Sequence, residues 1–173
     1  MKKRTIVVVI IMLIICITTL SACGNKAKYI DELNATFNGE FKLAEKAPSD
    51  PNSIEGFIYE GGFGGYALNS EDGLTSYSIG GYPDCLDDYH IIYFTTKDDK
   101  YEVFGFSIGD SIEKAAGILS EKGYRVQEEF DHGKIMTHSI IGISFFSDNS
   151  RGAGNITSIF IRLDITNKQG VMF

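Results

Sequence analysis

The feature that most limits what this chain can fold into is its beginning: Lys2, Lys3 and Arg4, then an unbroken run of twelve apolar residues from Ile6 to Ile17. A charged end followed by a short apolar run is the pattern of a secretory signal. A membrane-spanning helix wants about 20 apolar residues. Ile6 to Ala22 offers seventeen positions, with Thr18, Thr19 and Ser21 among the last of them. Residues 1–22 are therefore expected to address the protein rather than to pack inside it. The 151 residues that remain are enough for one domain, burying about two thirds of its unfolded-chain surface.

The leader ends in Leu20-Ser21-Ala22-Cys23. These four residues resemble the lipobox of bacterial lipoproteins at every position: leucine, two small residues, then cysteine. The resemblance implies that diacylglycerol is attached to the Cys23 thiol and that a dedicated peptidase cuts just before it. Cys23 would then be the mature N-terminus. Two acyl chains anchor a protein stably where one does not, so the expected location is a cell membrane, lipid-anchored, on the extracytoplasmic side. Gly24 follows the cysteine, so the aspartate that Gram-negative sorting reads as a retention signal is absent.

Without its leader the chain has thirteen basic and twenty-three acidic residues, a net charge of −10. That balance repels nucleic acid and anionic lipid headgroups. Cys16 leaves with the leader and Cys23 carries lipid, which leaves Cys85 alone in the folded part and no internal disulfide. A lone cysteine of this kind behaves most often as a small buried hydrophobe.

The expected organisation is a signal peptide over residues 1–22, a lipid-anchored tether over 23–53 and a single α+β domain over 54–173. Residues 24–53 are mostly polar, with Pro48 and Pro51 near the end, and carry one short helix around Tyr29 to Ala35. Strands are expected at Ile54–Tyr59, Tyr66–Leu68, Ser76–Ile79, His90–Thr96 and Tyr101–Phe106, with glycine-rich loops between them. Four more follow at Tyr124–Phe130, Lys134–His138, Ile140–Phe146 and Ile156–Ile165. In the last, Ile159, Ile161, Leu163 and Ile165 alternate with Phe160, Arg162 and Asp164, one side facing a core. One main helix, Ser111 to Lys122, covers this antiparallel sheet, with Ile112, Ala115, Ala116 and Leu119 on a single stripe. Asp110 is expected to cap its start and Gly123 to end it in a left-handed turn.

Gly105-Phe106-Ser107-Ile108-Gly109-Asp110-Ser111, a helix, Lys122-Gly123-Tyr124 and then strands resemble the small α+β module of uncharacterised Firmicutes lipoproteins. More remotely, Tyr101 to Ile165 resembles modules of the β-lactamase-inhibitor-protein type and of outer-membrane assembly lipoproteins. Those relatives bind proteins and catalyse nothing, so the resemblance implies a binding module and no more; the expected role is a non-catalytic protein- or ligand-binding module, with an envelope or extracellular protein as a candidate partner. No second copy of the module is legible in the sequence.

Three motifs invite chemistry. Gly62, Gly64 and Ala67 have the spacing of a dinucleotide loop, but Asn69 to Gly73 is a turn where a helix should run. Gly105-Phe106-Ser107-Ile108-Gly109 spells G-x-S-x-G. A nucleophile elbow needs its helix directly after the serine and a parallel sheet behind it, and neither is expected here. The alternative function, a small envelope serine hydrolase, would rest on Ser107 with His132 or His138. A second alternative, a calcium-dependent adhesion module, would use Asp84, Asp87, Asp88 and His90, whose spacing matches no calcium loop. No catalytic residue, metal site or cofactor is expected. Binding is expected at aromatics on the glycine-loosened loops, namely Phe63, Tyr66, Tyr82 and Tyr89.

Overall fold

The computed structural model describes residues 28–62, 64–82, 85–148 and 154–164, with the backbone alone at 82 and 85–88. The chain runs α1 (residues 28–36), β1 (Phe57–Gly62), β2 (Gly65–Ser70), β3 (Thr75–Tyr82), β4 (Cys85–Thr96), β5 (Glu102–Val103), β6 (Phe106–Ser107), α2 (Ile112–Glu121), β7 (Arg125–Phe130), β8 (Gly133–His138), β9 (Ile141–Phe146) and β10 (Ser158–Leu163). Eight strands form one antiparallel sheet in the order β1-β2-β3-β4-β10-β9-β8-β7, and β5 and β6 form a separate small hairpin.

That order contains the same sequence of elements twice. A helix precedes a four-stranded meander in each half, and the last strands of the halves, β4 and β10, pair antiparallel at the centre. The repeat lies in topology and not in motif, which is why the sequence does not display it.

Alternation gives the sheet two unlike faces. Leu68, Tyr77, Phe94, Ile161, Ile143 and Met136 form one cross-strand row, every one of them fully buried. Both helices and the β5-β6 hairpin pack on this side: Phe37, just after α1, meets Phe94 edge-on at 4.7 Å, and Phe106 meets Phe145 at 5.9 Å. The opposite face carries Ser76, Ser78, Tyr93, Thr95, Phe160, Arg162 and Ser144, each only partly buried. No described element covers it.

Helix α2 has the expected stripe, with Ile112, Ala115, Ala116 and Leu119 buried. Its C-terminus has the expected form: Gly123 sits at φ 87°, its N–H donates to Ser120 O, and Tyr124 N–H donates to Leu119 O at 2.9 Å. This is the double bond of a Schellman ending. The N-cap is a correction. Ser111, not Asp110, accepts from Lys114 N–H at 3.2 Å, because the Asp110 carboxylate is turned back to Ser107 N–H and to Lys114 Nζ.

Other expectations also change. The segment read as a tether is, over residues 28–53, part of the packed body: Leu33, Phe37 and Leu43 are buried to 1% exposure or less. Residues 44–47 continue the line of β10 along β4, with Ala44 N–H donating to Ile91 O, Ile91 N–H to Glu45 O and Ala47 N–H to Tyr89 O. The strand expected at Tyr101–Phe106 is instead the β5-β6 hairpin, turned by Phe104 and Gly105 at positive φ. The loops expected around Gly61–Gly65 and Gly80–Tyr89 are largely strand, since β1 and β2 run to within two residues of each other and β4 is twelve residues long. Glycine serves close approach here. A Cβ on Gly65 would lie 2.1 Å from Ile79 O, and one on Gly80 would lie 2.7 Å from Ile92 Cδ1.

Candidate binding site

Of the four aromatics expected to bind, Tyr66 and Tyr89 come together. Their ring centroids are 6.2 Å apart, and Tyr59 adds a third ring 5.3 Å from Tyr66. All three stand on strands and not on loops, which corrects the expected placement, at the end of the helix-bearing face. Tyr59 and Tyr89 are exposed, at 41% and 38%, whereas Tyr66 is half-buried and its hydroxyl reaches Pro48 O at 3.4 Å. Burial pushes the Tyr66 phenol above its ordinary value, and the neighbouring Tyr59 adds to the shift. Phe63 and the Tyr82 side chain lie outside the described residues, as does Cys23.

Ser107 is not arranged as a nucleophile. It lies in β6, its hydroxyl bonds to Ile108 O at 3.4 Å, and its N–H is taken by the Asp110 carboxylate. The two histidines considered as bases are stacked elsewhere: His132 with Phe130 and Phe146, His138 with Tyr29 and Tyr124. In the Asp84–His90 stretch, Asp84 and the Asp87 and Asp88 side chains lie outside the described residues, while His90 sits on β4 opposite Gly80. Among the described residues no three His, Cys, Asp or Glu side chains gather as a metal site. Nor is any described helix long and apolar enough to cross a membrane.

The open face of the sheet holds a surface that the sequence reading missed. Tyr93, Phe160, Phe146 and Phe130 form a diagonal stripe across β4, β10, β9 and β7, with successive centroids 6.3, 5.7 and 5.8 Å apart. Gly133 lies under the last pair, where a Cβ would come within 2.2 Å of Phe146 Cδ1. Burial raises the Tyr93 phenol above its ordinary value, with the Arg162 charge opposing. Aromatic rings left half-exposed on a rigid scaffold are characteristic contact anchors.

Two depressions flank the stripe. One, of about 370 Å³, is floored by Gly62, Gly65, Ala67, Ser78 and Gly80 and walled by Ile92. The other, of about 230 Å³, lies beside Arg162 and is lined by Gln127, Thr137, Ser139, Gly142 and Asp164 among others. The signal that could have revealed this face was the second half of each strand's alternation. Phe160 and Arg162 in β10, and Phe146 and Ser144 in β9, are not the wholly polar set a solvated face requires.

No protein-family model, curated protein or solved structure matches the chain.

Proposed function

We propose that the protein is a lipoprotein of the cell envelope, held on the extracytoplasmic side of a membrane by diacylglycerol on Cys23, and that its domain works by binding another envelope or extracellular protein. The observation that carries the binding role is the partly exposed Tyr93–Phe160–Phe146–Phe130 stripe on a sheet face that no described element covers. The lipobox carries the anchoring. The resemblance of Tyr101 to Ile165 to protein-binding modules agrees with both. The tyrosine group at Tyr59, Tyr66 and Tyr89 is a second contact area on the other face of the same sheet.

The test is a photo-crosslinker at Phe160 in intact cells, with one at exposed Glu71 as control. Binding predicts a discrete adduct from Phe160 that is lost in Phe146→Ala. Absence of any Phe160-specific adduct, together with labelling of Ser107 by a serine-directed probe, overturns the reading in favour of the hydrolase. A calcium-dependent rise in melting temperature would favour the adhesion module instead. Anchoring is tested by Cys23→Ser, which leaves an unprocessed precursor. A cleaved, water-soluble Cys23→Ser product would mean that an ordinary signal peptidase acts here.

A further inference from the structure

The depression beside Arg162 combines features that point to one kind of ligand group. Arg162 and Arg125 stand in one cross-strand row of the open face, Arg125–Thr137–Gly142–Arg162–Tyr93. Three strand spacings separate the two arginines, about 14 Å. The Arg162 side chain lies over Gly142 of β9, where a Cβ would be in ordinary contact with its Nη2 at 3.7 Å and its Nε at 3.8 Å. Its guanidinium end therefore lies over β9, beside the depression. A bulge in β7 between Val126 and Glu128 leaves Gln127 as the extra residue, and Gln127 lines the same depression with Thr137 and Ser139. Bulges commonly re-aim a side chain in this way.

Lys100, Lys114, Lys122 and Lys134 are paired with carboxylates, Lys134 with both Glu113 and Glu129. Arg162 and Arg125 form no ion pair with any described residue. Asp164, two residues beyond Arg162 on the same face, lines the rim and is engaged in an interaction of its own. A negative group therefore meets the guanidinium best from the Gln127–Thr137 side, away from Asp164. A planar fork with amide and hydroxyl donors beside it matches a carboxylate.

We propose that the depression beside Arg162 is a carboxylate-binding site, taking an aspartate or glutamate side chain of a protein partner whose apolar groups lie on the Tyr93–Phe160–Phe146–Phe130 stripe. The proposal rests on the binding role given above to the open face and names the chemistry of the partner. A half-buried arginine with no ion pair among the described residues, beside aromatic anchors on an otherwise acidic protein, is a selective feature. It rejects a partner that offers apolar surface without an acid and leaves the guanidinium unpaired.

The experiment titrates the full chain in detergent with N-acetylglutamate α-amide and follows the arginine Nε–H resonances, identifying Arg162 by its loss in Arg162→Gln. The expected result is a saturable shift at Arg162 that N-acetylglutamine amide does not produce. Arg162→Lys, which keeps the charge and loses the fork, should weaken saturation about tenfold or more. An equal response at Arg125, an equal response to the glutamine probe, or no saturable shift overturns the site. So does tighter binding of N-acetylphosphoserine amide, which would make it a phosphate site. A Phe160 crosslink that survives Arg162→Gln at full yield leaves the binding role of the face standing and removes the carboxylate site. Saturation at Arg162 without any cellular crosslink does the reverse.

Discussion

Tyr101 donates its phenolic hydrogen to the Glu40 carboxylate at 2.7 Å across 61 residues of sequence. Tyr77 donates to the same group at 2.8 Å and in turn accepts from Glu40 N–H at 3.1 Å. Lys100 stands 3.6 Å away. One carboxylate thus fastens the N-terminal segment to β3 and to the chain entering β5. Both tyrosines are buried to 1% exposure or less, so their hydroxyls have little water to turn to when the carboxylate is taken away. Glu40→Ala is expected to cost about 1–3 kcal/mol, measured as a lower urea midpoint with unchanged slope.

The same group gives a pH dependence. Burial alone would raise the Glu40 carboxyl, but hydrogen bonds from Tyr101 and Tyr77 and the Lys100 charge outweigh it and hold the pKa below the ordinary 4.5. A lowered folded-state pKa means that the folded protein resists protonation. The contribution is therefore present above about pH 4.5 and is lost as the pH falls through the folded-state value. Melting temperature recorded down this range should fall less steeply for Glu40→Gln than for the wild type. Equal slopes would mean that Glu40 is not the group that titrates.

Packing before Ile54 has its own consequence. Phe37 is 1% exposed and lies edge-on to Phe94 at 4.7 Å. Phe37→Ala should therefore cost about 3–5 kcal/mol, the loss of a core side chain. A passive tether would tolerate the change with no shift in the denaturation midpoint.

For helix α2 the two candidate caps make different forecasts. Ser111→Ala should cost about 1 kcal/mol, because it removes the acceptor for Lys114 N–H. Asp110→Asn, which keeps an acceptor for Ser107 N–H, should cost less. Leu119→Ala should cost about 2–5 kcal/mol, and Gly123→Ala about 1 kcal/mol, its methyl being forced to φ 87°. Chemical denaturation of the four variants checks the order.

What was legible in the sequence follows from the range of the interactions involved. The α2 stripe, its Gly123 ending and the alternation of Ile159, Ile161 and Leu163 are local patterns, and the structure has all three. Residues 24–53 read as a tether because Tyr29, Ile30, Leu33, Phe37, Phe41 and Leu43 are the only large apolar side chains in a mostly polar stretch. Phe37 packs on Phe94, which in turn meets Tyr77 and Tyr101, all far along the chain. The glycines at 61, 62, 65 and 80 suggested loops, yet most of them let strands or side chains approach closely. The open-face stripe escaped notice for the same reason as the tether. Tyr93, Phe160, Phe146 and Phe130 lie on four different strands, and only the register makes them neighbours.

The central pairing of β4 with β10 has a mechanical consequence. Each half of the sheet is continuous in the chain, while the ladder joining the halves consists of four residue pairs, from Tyr93↔Arg162 to Thr96↔Ile159. Each meander can assemble from near neighbours, whereas the seam joins Thr96 to Ile159 and so closes only after all the strands between them. A pulling force applied across the sheet would part it there. Two chains lying side by side could also exchange halves at that seam without breaking a hairpin.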